Sequence, residues 1–276
     1  MKDDTIKRKI KESYGKIAMV GNSSEGCCAP DECCGGSSSG SSNSSQTMMS
    51  PAQIAENIGY NTNDLKTIPE SSILGVGCGA PVNFANIQEG EVVVDIGSGG
   101  GIDVFLSANR VKQSGKAIGI DMTDEMLEKA ASHAKQNGYT NVEFKKGDIE
   151  KGIPINDNSA DVVISNCVIN LTIDKIAAFK EIYRILKTSG GRMVISDLVT
   201  SKEVDPESAD SDKWCSCIDG ALTKEHYLDS IRKTGFSNVE VLEEKLYMDG
   251  DSVEGRRITS LVIKAVKTGR REELEL

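Results

Sequence analysis

Residues 92–101 read Val92-Val93-Val94-Asp95-Ile96-Gly97-Ser98-Gly99-Gly100-Gly101. The first five, rich in β-branched side chains, form a candidate strand, and a glycine loop follows at once before a helical pattern. In that position glycines let the backbone approach a ligand closely, and the helix N-terminus offers N–H groups with no intrahelical partner. The glycines at 97, 99 and 101 make a G-x-G-x-G spacing, with the acid Asp95 two residues ahead. A dinucleotide fingerprint, G-x-G-x-x-G, needs glycine where Ile102 stands. The spacing therefore favours S-adenosylmethionine over NAD as cofactor.

Working outward, candidate strands recur at Val92–Ile96, Lys116–Asp121, Val142–Lys146, Asp161–Ser165 and Arg192–Ser196, separated by helical patterns. Short apolar strands alternating with helices predict an α/β fold, a parallel sheet with helices on both faces. A helix from Thr123 to about Asn137 has Met126, Leu127, Ala130, Ala131 and Ala134 as its apolar stripe, acids in its first turn, and Gly138 as its stop. Another runs from Asp174 to Lys187, and a third covers Lys224 to Thr234. Two last strands near Val239–Leu242 and Thr259–Val266 are expected to close the sheet with an antiparallel edge.

Two acids fall in register with the loop. Asp121 ends the second strand, where a carboxylate accepts hydrogen bonds from ribose hydroxyls. Asp148 ends the third, where it or its neighbouring backbone meets an adenine amino group. The expected cofactor set is Asp95, Gly97, Gly99, Gly101, Asp121, Met122, Asp148, Ile149 and Asn166.

Composition bounds the partners. The chain has 276 residues and a net charge of −10, which argues against nucleic acid. No apolar run reaches the ~18 residues of a membrane span, and the first residues lack a signal-peptide core. The expectation is a cytoplasmic protein acting on a small molecule. Thiols stay reduced there, so the eight cysteines read as ligands or redox groups rather than disulfides.

The N-terminal stretch spaces Ile6, Ile10, Tyr14 and Ile17 as an amphipathic helix. Cys27, Cys28, Cys33 and Cys34 follow, then a serine–glycine tract from Gly35 to Thr47 that reads as a flexible linker spanning roughly 20 Å. Cys167 lies directly after the fourth strand, where open α/β sheets bind their ligands. Its alternative reading is a small buried hydrophobe. Cys78 sits between glycines in Gly77-Cys78-Gly79, and Cys215 and Cys217 flank Ser216. His133 and His226 fall on helical stretches and read as packing or surface residues.

The glycine loop and its acids resemble the motifs of class I S-adenosylmethionine-dependent methyltransferases, which implies a Rossmann-like sheet. Tyr14-Gly15-Lys16, Gly77-Cys78-Gly79, Ser165-Asn166-Cys167-Val168-Ile169-Asn170-Leu171 and Cys217-Ile218-Asp219-Gly220-Ala221-Leu222 together resemble arsenite methyltransferases. The resemblance implies that Cys78, Cys167 and Cys217 bind trivalent arsenic. It also implies that an N-terminal cysteine, with Cys28 as candidate, serves a redox step that an external thiol or thioredoxin completes. Three regions follow: 1–50 with the helix, cysteine-rich segment and linker; 51–200 binding S-adenosylmethionine; and 201–276 completing the sheet and the arsenic site. The competing readings are a methyltransferase of a small organic substrate with incidental or zinc-holding thiols, and a metalloid binder without turnover.

Overall fold

The computed structural model describes residues 2–20, 49–205 and 209–269. Helix α1 (Lys2–Val20) turns Ile10, Ile17 and Ala18 inward, as its apolar spacing predicts. Helix α2 (Pro51–Asn57) starts at a reciprocal cap: Ser50 accepts from the Gln53 amide and the Gln53 side chain accepts from the Ser50 amide. The short α3 (Thr62–Leu65) follows. Strands and helices then alternate: β1 (Val92–Ile96), α4 (Ile102–Val111), β2 (Lys116–Asp121), α5 (Asp124–Gln136), β3 (Val142–Lys146), β4 (Val162–Asn166), α6 (Lys175–Ile185) and β5 (Ser189–Thr200). Helices α7 (Ser211–Cys215) and α8 (Lys224–Lys233) precede β6 (Ser237–Asp249) and β7 (Arg257–Thr268).

The strands form a seven-stranded sheet in the order β3-β2-β1-β4-β5-β7-β6. The first five run parallel, and β7 lies antiparallel between β5 and β6. This is the Rossmann-like sheet that the sequence predicts, with its antiparallel edge. The last two strands are longer than expected, because β5 runs on to Thr200 and gives β7 a matching partner.

β1 is buried on both faces. Val94 and Ile96 join a core with Phe179, Ile182 and Ile185 of α6, while Val93 packs into a second core with Phe105 and Leu106 of α4. Each such fully buried side chain contributes about 1.5–3 kcal/mol. One detail of α5 differs from the expected stripe. Ala131 is exposed and His133 is buried in its place, because 126, 130, 133 and 134 share a face at 3.6 residues per turn.

The strand order reverses between β1 and β4, so neighbouring connections leave to opposite faces and open a crevice outside the carboxyl ends. The register pairs Ile96 with Ser165, which sets the glycine loop beside Asn166 and Cys167.

Candidate active site

A cleft occupies that crevice. Asp95, Gly97, Gly99, Asp121, Met122, Asp148, Ile149 and Asn166 line it, with Cys167 at its inner end. Gly101 does not line it. It enters α4 at φ 95°, where a Cβ would press on the rings of Phe105 and Phe144, so its glycine serves the turn. Gly97 is different: at φ 70° a Cβ would drive into the Val168 side chain. Asp121 fastens the loop, accepting from the Gly99 amide at 2.9 Å on Oδ2 and from the Thr123 amide at 2.9 Å on Oδ1. Burial pushes its pKa up and those amides pull it back.

Helix α1 roofs the cleft with Lys7, Ile10 and Tyr14. Lys7 Nζ donates to Asp148 Oδ2 at 2.8 Å and pairs with Glu150 Oε2 at 2.6 Å. The residues present fit a nucleoside-bearing, cationic methyl donor. Asp121 keeps acceptor capacity at a strand end, the backbone of Gly99 has no neighbour closer to a would-be Cβ than the Met126 sulfur at 3.9 Å, and the buried Asp103 Oδ1 has no hydrogen-bond partner.

Three cysteines from distant parts of the chain meet at the inner end. Cys167 adopts φ 60° directly after β4, its amide donating to the Ser196 carbonyl at 2.8 Å. Cys217 adopts φ 66° after α7, and its Sγ donates to the Cys167 carbonyl at 3.0 Å. Cys78 comes from the loop before β1. Its amide donates to Asn166 Oδ1 at 3.0 Å, and its carbonyl accepts from Ser260 Oγ at 2.6 Å. The neighbouring thiols of Cys217 and Cys78, then burial, push the Cys167 pKa well above the ordinary range, and Cys78 Sγ lies within 4.8 Å of Cys167 Sγ. None of the three is joined in a disulfide. Cys215 is buried in the apolar cluster with Trp214 and Ile218, and its carbonyl accepts from the Tyr14 hydroxyl at 3.4 Å. Cys27, Cys28, Cys33 and Cys34 lie outside the described residues.

Asp197 stands beside this cluster and was not singled out in the sequence. One of its carboxylate oxygens, Cys78 Sγ and Cys167 Sγ all lie within 4.8 Å of one another. Asp197 is fully buried and accepts from the Asn170 amide, the Leu198 amide and the Tyr227 hydroxyl, each at 3.0 Å. Burial raises its pKa to about 6. Lys175 is also buried, donating to the Thr172 carbonyl at 3.0 Å, and burial lowers its pKa to about 8. The signal for Asp197 was available: it follows an apolar run in β5 much as Asp121 ends β2. Lys175 gave none, since a lysine opening a helix looks like surface. His133 Nε2 sits 2.9 Å from Ser71 Oγ, and His226 Nδ1 sits 3.0 Å from Glu203; neither lines the cleft.

The family model described as a methyltransferase domain matches residues 87–235. The arsenite methyltransferase of Halobacterium salinarum is 37% identical over 268 residues, covering 95% of this chain and 66% of that protein. That of Aquipseudomonas alcaligenes is 35% identical, covering 69% of this chain and 56% of that protein. The crystal structure of an arsenic(III) S-adenosylmethionine methyltransferase from Chlamydomonas reinhardtii superposes with a TM-score of 0.62 at 30% identity, covering 79% of this chain and 74% of that one. The chain belongs to the arsenite methyltransferase family. It is built on a Rossmann-like methyltransferase domain, and it spans from about half to two thirds of the length of the curated arsenite methyltransferases named here. Among the described residues, no helix of this family member is long and apolar enough to cross a membrane.

Proposed function

We propose that this chain methylates trivalent arsenic held on Cys78, Cys167 and Cys217. The observation that carries the reading is the meeting of those three cysteines where Cys167 lines the cleft, with Cys78 Sγ within 4.8 Å of Cys167 Sγ and Cys217 Sγ 3.0 Å from the Cys167 carbonyl, two of them on backbones in the left-handed region. Non-glycine residues hold that conformation at a cost of order 1–3 kcal/mol, and they do so where the surroundings demand it. Arsenite is soft and thiophilic, so sulfur is the matching ligand. Each thiol proton leaves with one arsenite hydroxyl as water, forming three As–S bonds from three S–H groups.

S-adenosylmethionine supplies an electrophilic methyl group when bound. Asp95, the 97–101 loop, Asp121 and the 148–149 segment would hold it, with Asn166 at the junction of the two sites. The arsenic lone pair is the nucleophile, so no side chain has to remove a proton. Alignment at close approach is the main task left to the protein.

Methyl transfer leaves arsenic formally pentavalent, and a further round needs two electrons. Cys28 can supply them by attacking the arsenic-bound sulfur of Cys78. The Cys28–Cys78 disulfide forms, the As–S bond to Cys78 breaks with its electron pair returning to arsenic, and the Cys28 proton is released. A small thiol or thioredoxin then reopens the disulfide. A cytoplasmic setting suits that chemistry.

The test incubates purified protein with arsenite, S-adenosylmethionine and glutathione and separates the arsenic species by chromatography. Methylarsenicals above a protein-free control are expected. Their absence, with donor binding intact, would remove the arsenic assignment.

A further inference from the structure

Asp103 lies in the first turn of α4, 2% exposed, and lines the donor cleft. Its Oδ2 accepts from the Tyr60 hydroxyl at 2.8 Å, while its Oδ1 is buried and has no hydrogen-bond partner. Asp95, also buried, stands close enough for the two carboxylates to repel. Among the described residues no lysine or arginine forms an ion pair with either one; Arg110, the nearest cation felt by Asp103, spends its guanidinium on Asp64, Asn83 and the Val82 carbonyl. Two adjacent buried carboxylates without a cation are costly to keep charged, and an acid that lines a cleft with one carboxylate oxygen unpartnered calls for a positive ligand group.

The other side of Asp103 leads away from the cleft wall. The Tyr60 hydroxyl accepts from Asn166 Nδ2 at 3.0 Å, and the same Nδ2 donates to the Gly79 carbonyl at 2.6 Å. Asn166 Oδ1 accepts from the Cys78 amide at 3.0 Å. Gly77 fits against this amide only because it has no Cβ, which would meet Asn166 Nδ2 at 2.8 Å. One side chain therefore clamps the Cys78 turn at 77–79, and that side chain is itself held through Tyr60 by Asp103.

We propose that Asp103 receives the ammonium group of the methyl donor's amino-acid end, and that Tyr60 and Asn166 are positioning residues that pass donor occupancy to the backbone of Cys78. A cation on Oδ1 fixes Asp103 as an ionised acceptor. The Tyr60 bond then becomes charge-assisted and stronger, which orients the hydroxyl oxygen toward Asn166. Asn166 in turn presents its carbonyl to the Cys78 amide. The thiol loop is set when the donor is in place.

This inference rests on the donor half of the proposed function and not on arsenic, so it is tested without arsenic. Calorimetry with S-adenosylhomocysteine, which keeps the ammonium, is run on the wild type and on Asp103→Asn. The variant is expected to bind about tenfold or more weakly, since a hydrogen bond to a charged group is lost. In parallel, iodoacetamide labelling of Cys78 is followed by mass spectrometry with and without S-adenosylhomocysteine. The wild type should show several-fold slower Cys78 labelling when the ligand is bound. Tyr60→Phe, its folding checked by circular dichroism, should bind the ligand more weakly and, at ligand concentrations that saturate it, lose most of that protection.

Equal affinity in Asp103→Asn overturns the ammonium assignment. Cys78 labelling indifferent to ligand in the wild type overturns the coupling, whether or not the Tyr60 variant folds. Full protection retained in a folded Tyr60→Phe overturns the path. A wild type that does not bind S-adenosylhomocysteine at all removes the donor reading itself, a distinct result.

Discussion

Cys217 hands its thiol hydrogen to the carbonyl oxygen of Cys167 at 3.0 Å, across 50 residues of chain. Both residues sit at positive φ, 60° for Cys167 and 66° for Cys217. A β-carbon there costs roughly 1–2 kcal/mol, so the contact is held by its surroundings rather than by local preference. On one side the Cys167 amide is tied to β5 through the Ser196 carbonyl; on the other the Cys217 amide closes the turn after α7 on the Trp214 carbonyl. The two sulfurs are thus placed by tertiary structure.

The cysteines should separate cleanly by role. Cys167→Ser and Cys217→Ser are expected to lower methylation of arsenic at least about a hundredfold, because a hydroxyl is a poor ligand for a soft acceptor and alignment is lost. Cys215→Ser, two residues from Cys217, should leave turnover within about threefold. It should instead lower stability by about 1–3 kcal/mol, because a hydroxyl would be added to an apolar cluster. Turnover assays paired with thermal melts distinguish the two outcomes.

Gly97 and Gly138 make a matched pair of controls. Both have positive φ, but a Cβ at Gly97 would collide with Val168, whereas at Gly138 nothing lies within 4 Å. Gly138→Ala should cost only the backbone term, about 1 kcal/mol, with donor binding unchanged. Gly97→Ala should add displacement of Val168 and of the loop beside it, and weaken S-adenosylhomocysteine binding by about tenfold or more. Calorimetry and melting curves on the two variants check both expectations.

The sheet was legible because its signals are local. β1 to β5 announce themselves as short apolar runs, and Asp121 was findable because an acid at a strand's carboxyl end faces the crevice in any such sheet. The thiol cluster is not local. Nothing in the spacing of residues 78, 167 and 217 says that they meet, and only the family resemblance joined them in advance. Asp103 and Tyr60 left no mark, since an acid in a helix's first turn reads as a dipole partner and a lone tyrosine as core. Their meaning comes from contacts separated by 43 residues, which no periodicity encodes. Ala131 shows the smaller failure, in which a residue on the flank of the apolar stripe was counted as part of it.

Donor binding should depend on pH through Asp103, whose pKa burial raises to about 7 against the lowering pull of the Tyr60 hydroxyl and the Arg110 charge. Asp95 and Asp121 are the other acids facing the same space, both also raised. A cationic ligand group favours the ionised carboxylate, so below about pH 7 the ligand must displace a proton. Affinity for S-adenosylhomocysteine is therefore expected to fall as pH drops from 8 to 6, by about tenfold per unit once Asp103 is mostly protonated. The dependence should flatten in Asp103→Asn. Calorimetric titrations at several pH values provide the check, and a wild-type affinity constant across that range would contradict the assignment.

Helix α1 closes the donor cleft from above, and Lys7 is its fastening to the floor. The Lys7 ammonium is mostly buried, with Asp148 and Glu150 as its partners. Burial works against its charge, but the two carboxylates more than offset it and hold its pKa above the usual lysine value. A group raised in this way stabilises the fold at all pH values below its unfolded pKa and loses that contribution only as pH climbs through the folded one. At neutral pH the tie is therefore fully present. Asp148 is also the acid expected near the adenine, so Lys7 links the roof to the donor floor directly. Lys7→Met preserves much of the side chain's length and packing while removing the charge. It should cost about 1 kcal/mol of stability. More tellingly, it should speed release of S-adenosylhomocysteine several-fold in stopped-flow experiments while changing the association rate little, because the roof opens more often once its tie is gone. An unchanged release rate would mean that Ile10, Ile17 and the Lys129 bond to the Ala18 carbonyl hold α1 down without Lys7.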